Sequence, residues 1–292
     1  MSSTSEATHG PQPEELRFLA ERIAAEAGKF ALNRRRDGVT LLGSKSSPED
    51  VVTEADRETE ALIRQLLAEA RPHDAILGEV GGATPGSSGL TWIVDPIDGT
   101  VNYLYDLPAW SVSIAVFEGD PDPRSWNLLA GAVEVPSLGE TYSASLGGGA
   151  TLNGEQIKAI EASSLALSLI ATGFTYSAAN RTRQATALAG LVSEVRDVRR
   201  SGSAAMDLCL VASGRINAYY ESFVNPWDHA AGSIIAREAG AKVGGFDGNP
   251  ESYKLIMAAP PATYQRLEEK LRPLYTGNDG LLATTSGADC KR

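Results

Sequence analysis

Two carboxylates stand three residues apart in Trp92-Ile93-Val94-Asp95-Pro96-Ile97-Asp98-Gly99-Thr100. Acids this close repel one another unless a cation sits between them. The stretch offers oxygen ligands and no His or Cys, which suits a hard ion such as Mg²⁺ rather than Zn²⁺. Pro96 removes a backbone donor and fixes φ, favouring a turn just after a strand. Gly99 lets the backbone approach a ligand closely, and Thr100 supplies a hydroxyl. The string therefore predicts a strand, a metal-binding turn, and a helix start able to hold an anion. Asp, Pro and Gly are also the ordinary residues of turns, so a purely structural bend is the competing reading.

Three further acidic signatures can supply the same ion. Pro226-Trp227-Asp228-His229-Ala230-Ala231-Gly232 puts Asp228 at a helix start, where Asp is also a favoured cap. His229 there reads as a packing residue. Ile76-Leu77-Gly78-Glu79-Val80-Gly81-Gly82 ends a short apolar strand on Glu79, a ligand or a solvent-facing strand end. Ser46-Ser47-Pro48-Glu49-Asp50-Val51-Val52-Thr53-Glu54-Ala55-Asp56 places Asp56 one turn into a helix. Its plain role is a favourable interaction with the helix dipole.

The elements that must carry these acids follow from hydrophobic spacing. Leu16, Leu19, Ile23, Ala27 and Phe30 predict an amphipathic helix over 14–35, and a second helix covers about 53–70. Strands are expected at about 74–78, 90–94, 110–118, 127–135 and 140–146, a consecutive run that suggests an antiparallel sheet. Gly147-Gly148-Gly149 and Asn153-Gly154 then look like a boundary. Beyond it strands at 167–173, 196–200, 215–221 and 254–259 alternate with helices at 178–194, 203–213, 227–239 and 261–271. The expected class is α/β: an α+β half over 13–150 and an α/β half over 151–275. Residues 1–12 and 276–292 are small and polar and are expected to be disordered.

Composition narrows the function classes. The chain has 292 residues, 42% hydrophobic and 22% charged, as in ordinary globular proteins. A net charge of −11 argues against nucleic acid as a partner, and Arg34-Arg35-Arg36 and Arg199-Arg200 are short enough to be solvated ends. An acidic chain that handles a phosphate needs a cation between them. Two cysteines, Cys209 and Cys290, give no disulfide framework, so a reducing cytoplasm is expected. No apolar run approaches membrane-spanning length, and Met1 to Pro13 carries no signal-peptide core. Gly38-Val39-Thr40-Leu41-Leu42-Gly43-Ser44-Lys45-Ser46 misses the nucleotide-binding P-loop spacing and lacks the strand before it, yet can place Lys45 near an anion.

The four acidic signatures, in this order, resemble the inositol monophosphatase family of Mg²⁺-dependent, lithium-sensitive sugar phosphatases. Asp95-Pro96-Ile97-Asp98-Gly99-Thr100 with Asn102-Tyr103 is similar to the family's first motif. Trp227-Asp228-His229-Ala230-Ala231-Gly232 with Glu238-Ala239-Gly240 is similar to the second. Gly78-Glu79, Lys45-Ser46-Ser47-Pro48 with Asp50-Val51-Val52-Thr53 and Asp56, Gly202-Ser203-Ala204-Ala205, and Tyr219-Tyr220-Glu221 match further segments over nearly all of 14–272. The resemblance implies a layered αβαβα sandwich and a likeness in chemistry. Glu79, Asp95 and the Ile97 carbonyl would hold one Mg²⁺. Asp95, Asp98 and Asp228 would hold a second, and a weaker third ion would sit near Glu79.

In the same resemblance the ions serve an in-line displacement at phosphorus. Thr100, hydrogen-bonded to Asp56, would orient the attacking water and take its proton. Backbone N–H groups at Gly99 and Thr100 would bind phosphate oxygens. Ser203, Ala204, Asp98 and Glu221 would face the substrate, a small phosphorylated polyol, and Glu221 favours a monophosphate over a bisphosphate. The implied activity is release of myo-inositol from inositol 1-phosphate, by a homodimer. Histidinol phosphate, a glycerol phosphate, or a non-catalytic regulatory binding role are the alternatives. Three positions depart from the family pattern: Val80 where a second acid is common, Asn225-Pro226 before Trp227, and Tyr103 where Phe is common.

Overall fold

Helix α1 (Pro13–Arg36) begins on a proline, which suits a first helical turn whose N–H groups have no partner. Leu16, Ala20, Ile23, Ala24 and Ala27 form its buried stripe. The computed structural model describes residues 12–44 and 51–276. A hairpin of β1 (Leu41–Ser44) and β2 (Val51–Thr53) runs directly into α2 (Glu54–Ala70). There follow β3 (Ala75–Gly78), β4 (Gly82–Thr84), β5 (Leu90–Asp98), the short helix α3 (Thr100–Leu104), β6 (Ser111–Glu118), β7 (Asn127–Val135), β8 (Glu140–Ser145), β9 (Gly149–Leu152) and β10 (Glu155–Gln156). Then come β11 (Leu169–Thr172), α4 (Ala178–Leu191), β12 (Asp197–Arg199), α5 (Ala204–Ala212), β13 (Ala218–Glu221), α6 (Pro226–Glu238), β14 (Lys242–Gly244), β15 (Ile256–Ala259) and α7 (Pro261–Thr276).

Two sheets organise these elements. The first has eight strands in the order β10-β9-β8-β7-β6-β5-β3-β4, and the second has five in the order β12-β11-β13-β15-β14. Side chains alternate across each sheet, as the strand period requires. On one face of the first, Trp92, Val94, Val112 and Ile114 pack with Ile23 of α1 and Ile63 of α2. On its other face Ile93, Ala115 and Val133 join Leu208 of α5, Ile234 and Ile235 of α6, and Tyr219 and Ala258 of the second sheet. The far face of the second sheet, with Tyr220 and Met257, meets Leu191 of α4 and Leu267 and Leu271 of α7. The layers are therefore helix, sheet, helix, sheet, helix, as the family resemblance implied.

Several expectations need correction. The first sheet is mixed, because β3 pairs β5 in parallel while its other pairs are antiparallel. It also continues past the glycine run: β9 and β10 carry it to Gln156, so the 150/151 division falls inside β9. The strands β1, β2, β4, β9, β10 and β14 were not anticipated. They are short, and β4, which is Gly82-Ala83-Thr84, is exposed throughout, so no apolar alternation marks it. Helix α7 runs to Thr276 through Pro273, five residues beyond the expected end. Tyr275, 1% exposed, holds that last turn by edge-to-face packing on Tyr220 and Phe246. Gln12 caps α1 and Thr276 closes α7, so neither belongs to a disordered end. The rest of the expected disordered ends, with Lys45 and Cys290, lie outside the described residues.

Gly131 on β7 sets how closely α6 approaches the first sheet. A β-carbon there would lie 2.9 Å from Ile234 Cγ2 and 3.0 Å from Ala231 Cα. Gly131→Val is expected to destabilise the protein by about 1–3 kcal/mol through overpacking. Urea unfolding checks this, and an unchanged midpoint would show that α6 does not need the contact.

Candidate functional site

The first acidic motif sits on an irregular end of β5. In the pairing with β6, Asp95 faces Ser113 and Asp98 faces Ser111, so an extra residue bulges out between them. Residues i and i+3 of a regular strand point to opposite faces, and the bulge re-aims them. Both Asp95 and Asp98 consequently line one cavity of about 320 Å³. The Ile97 N–H closes the turn on Asp95 Oδ1 at 3.0 Å. Gly99 adopts φ 96°, and a β-carbon there would crowd the carbonyls of Ala109 and Gly202 at 3.0 and 3.1 Å. That conformation suits glycine and starts α3 at Thr100.

Parallel pairing of β3 with β5 sets Gly78 against Val94, and the Glu79 N–H continues the ladder to the Val94 carbonyl at 3.2 Å. Glu79 therefore arrives beside Asp95. From the other side, Asp228 lies in the first turn of α6 and accepts the Asn225 N–H at 2.8 Å, a reciprocal cap. One ligand oxygen from each of Glu79, Asp95 and Asp228 falls within 4.8 Å of the others. Loss of bulk water raises the Asp228 pKa well above the usual range, and the charges of Glu79 and Asp98 raise it further. Asp228 thus caps α6 and offers an oxygen to the acid group in the same geometry.

Asp98 lines the same cavity and also anchors a neighbouring helix. Its Oδ2 accepts the Ser203 hydroxyl at 2.6 Å and the Ala205 N–H at 2.8 Å, so it anchors the start of α5. Ser203 in turn caps α5 by accepting the Met206 N–H at 3.2 Å, and pairs with Ser111 at 3.1 Å. Ala204 lines the cavity beside it.

Asp56 combines its helical role with a site contact. Its Oδ2 accepts both the N–H and the hydroxyl of Thr53, at 2.7 and 2.5 Å. Its Oδ1 faces the Thr100 hydroxyl at 3.1 Å, and the same hydroxyl is 3.1 Å from the Ile97 carbonyl. Glu221 ends β13 at the cavity, where Tyr219 donates its hydroxyl at 2.8 Å. A β-carbon at Gly173 would lie well inside contact distance of both Glu221 carboxylate oxygens, so any side chain there would displace the carboxylate. Burial pushes the Glu221 pKa up to about 7, although Tyr219 and Arg200 oppose the shift.

Other residues of the site escaped sequence reasoning. Arg200 lines the cavity rather than ending a strand in solvent. Asp207, 1% exposed in α5, has its pKa raised well above the usual range by burial. The clearest omission is Glu60, 2% exposed. It accepts the N–H groups of Val80 and Gly81 at 2.7 and 2.8 Å, and Arg64 Nε at 2.7 Å. Arg64 then reaches the Gly82 carbonyl at 2.5 Å and the Thr84 hydroxyl at 3.0 Å. Asp56, Glu60 and Arg64 recur every four residues, which puts them on one face of α2. That spacing was the available signal. The pair clamps the turn that presents Glu79.

The fold is a five-layer α/β sandwich with an acidic, oxygen-lined cavity between its two large sheets. The inositol monophosphatase family model matches residues 12–275, and the chain belongs to that family. It is 47% identical over 251 residues to the inositol-1-monophosphatase SuhB of Mycobacterium tuberculosis, covering 80% of this chain and 84% of that relative. It is 33% identical over 269 residues to the Nus factor SuhB of Vibrio cholerae, covering 90% and 97%. The solved structure of Mycobacterium tuberculosis SuhB superposes with a TM-score of 0.76 at 40% identity, covering 91% of this chain and 98% of that one. No helix among the described residues is long and apolar enough to cross a membrane.

Two outcomes follow from this geometry. Glu60→Gln removes one acceptor from the Val80-Gly81 amides, and divalent-ion affinity should fall by roughly tenfold, as is usual when support behind a ligand is lost. Calorimetric titration of the folded variant reads this directly, and an unaltered affinity would reduce Glu60 to a packing role. The second outcome concerns pH. Glu221 is held protonated more readily in the folded state than in the unfolded chain. Between its ordinary pKa and about 7 the folded state thus binds more protons, and its stability falls as pH rises through that window. Urea unfolding of metal-free protein should give a shallower decline for Glu221→Gln than for the wild type.

Proposed function

We propose that the protein hydrolyses myo-inositol 1-phosphate to myo-inositol and phosphate with the help of Mg²⁺. The observation that carries this reading is the gathering of Glu79, Asp95 and Asp228 within 4.8 Å, beside the Thr100–Asp56 pair. The donor set fits the ion: all oxygen, anionic, and crowded enough to raise the pKa of Asp228. Glu79, Asp95 and the Ile97 carbonyl would hold one ion, Asp95, Asp98 and Asp228 a second, with a weaker third near Glu79. Ions held there would lower the pKa of water and offset negative charge on the phosphate.

The chain's own groups do the rest. Thr100 Oγ1, with its proton directed at Asp56 Oδ1, presents a lone pair to a water in the cavity. As the water attacks phosphorus and the ester P–O bond breaks, the water's proton passes to Thr100 Oγ1 and the Thr100 proton to Asp56 Oδ1. The departing alkoxide takes a proton from cavity water, and Asp56 returns its own to solvent. Thr53 keeps Asp56 fixed throughout through Oδ2. The backbone N–H groups of Gly99 and Thr100 are suited to phosphate oxygens. Glu221 accepts hydroxyls of the polyol, supported by Tyr219, and in its ionised form disfavours a second phosphate there. Ser203 and Ala204 border the same space. The family resemblance extends the proposal to lithium inhibition and a homodimer, and the sparse cysteines to a cytoplasmic setting.

Asp95→Asn is expected to abolish turnover nearly completely with any ester, because it removes charge from the shared ligand group. Glu221→Gln should act selectively. A charge-assisted hydrogen bond contributes about 1.5–3 kcal/mol, so preference for inositol 1-phosphate over p-nitrophenyl phosphate should fall by roughly ten- to hundredfold. Steady-state kinetics with both esters decides it. An unchanged ratio would remove the case for inositol over other monoesters, and full Asp95→Asn activity at saturating Mg²⁺ would remove the phosphatase mechanism.

A further inference from the structure

Phe223 occupies a backbone conformation that suits a different residue. Its φ is +67°, in the left-handed region. A β-carbon there crowds the backbone, a strain that Gly avoids and that Asn and Asp tolerate. The other non-glycine residues at positive φ among those described are Asp106, Asn153 and Asp247, all of the tolerant kind. Phe223 alone among them is large and apolar. It lies on the short connection between Glu221 and Asp228, and it lines the same cavity as both.

The side chain is held in place. The Phe223 N–H donates to the Tyr253 carbonyl at 2.6 Å. The two rings meet edge to face, with centroids 5.6 Å apart and planes at 68°. Phe174 and Tyr176 line the cavity as well. The ring packs against the hydrophobic cluster around Tyr220 and Met257 as well as bordering the cavity. Backbone strain retained at such a position points to work done by the side chain, since glycine would make the same turn without either contact.

We propose that Phe223, with Phe174 and Tyr176, forms an aromatic wall that selects phosphate esters of cyclic polyols over those of acyclic alcohols. This rests on the phosphatase reading and adds the feature that sorts its substrates. A polyol ring carries hydroxyls at its edge and C–H groups on its face. The electron-rich face of an aromatic ring attracts such C–H groups, while Glu221 accepts from the hydroxyls. An acyclic alcohol offers no flat face, and it gives up more rotational freedom on binding.

The test compares wild type with Phe223→Gly and Phe223→Asn on inositol 1-phosphate and glycerol 2-phosphate at saturating Mg²⁺. Both replacements accept the left-handed backbone, so the turn survives while the ring is lost. The ratio of kcat/KM for the cyclic ester to that for the acyclic one should drop by about tenfold, the scale of one aromatic contact. The change should appear mainly in KM for inositol 1-phosphate, with inhibition by inorganic phosphate unaltered. Phe223→Ala keeps the strain and loses the ring, so its ratio should match the other two although its unfolding temperature is lower. An unchanged ratio in the Gly and Asn variants overturns the proposal while leaving the phosphatase reading intact. A ratio that follows unfolding temperature across the three variants overturns it as well. Wild-type protein inactive on both esters overturns the reading and the proposal together.

Discussion

Carboxylates that crowd one cavity must be held there against their own repulsion, and much of this fold can be understood from that constraint. Glu79, Asp95 and Asp228 present oxygens within 4.8 Å of one another. No single flexible segment could hold such a group. Each acid instead arrives on a different rigid element, a parallel strand end, a bulged strand end and a capped helix start. The bulge after Asp95 is placed where Pro96 removes a donor from the ladder anyway, so the irregularity leaves little hydrogen bonding unmade.

Support for the site comes from capping interactions that also serve the helices. The Asp56 carboxylate closes the start of α2 and reaches Thr100 in the same stroke. One turn later Glu60 holds the amides that follow Glu79, and one turn beyond that Arg64 ties down β4. A single helix face thereby fixes the spacing between two parts of the site that are distant in sequence. Asp98 does the corresponding work across the layers. It receives Ser203 and Ala205 from α5, while Asn102 Nδ2 donates to the Ala109 and Ser201 carbonyls at 2.6 and 2.7 Å.

The layered class and most of the long elements were legible because burial imposes period. Helix α1 and strands β6 and β7 end within a residue or two of the spans read from apolar spacing. Short exposed strands such as β4 carry no period, and they form because neighbouring strands offer them partners. The grouping of Asp95, Asp228 and Glu79 was legible through the family's motifs, but the anchoring of α5 by Asp98 was not. Its partners lie more than a hundred residues away, and no local spacing encodes such a contact. Phe223 was invisible for another reason: a Phe in a sequence gives no sign of a positive φ. Pro273 misled in the opposite direction, since local propensity ends a helix that the buried Tyr275 continues.

The site divides by chemistry along the same lines as the layers. Asp56, Glu79, Asp95 and Thr100 come from the first sheet and the helices over it, and they make up the acid group and the Thr100–Asp56 contact. Glu221, Gly173 and Phe223 come from the second sheet and its connections, and they border the same cavity. Asp228 stands at the seam, since its helix follows β13 yet its carboxylate joins the first group. A substitution on the second sheet can therefore reshape that part of the cavity while the acid group stays whole. The converse does not hold, because α6 is packed on Gly131 of β7, and a shift there moves Asp228 as well. The acid cluster is locked by capping and sheet register, whereas the second sheet's share of the cavity is built largely from short connections.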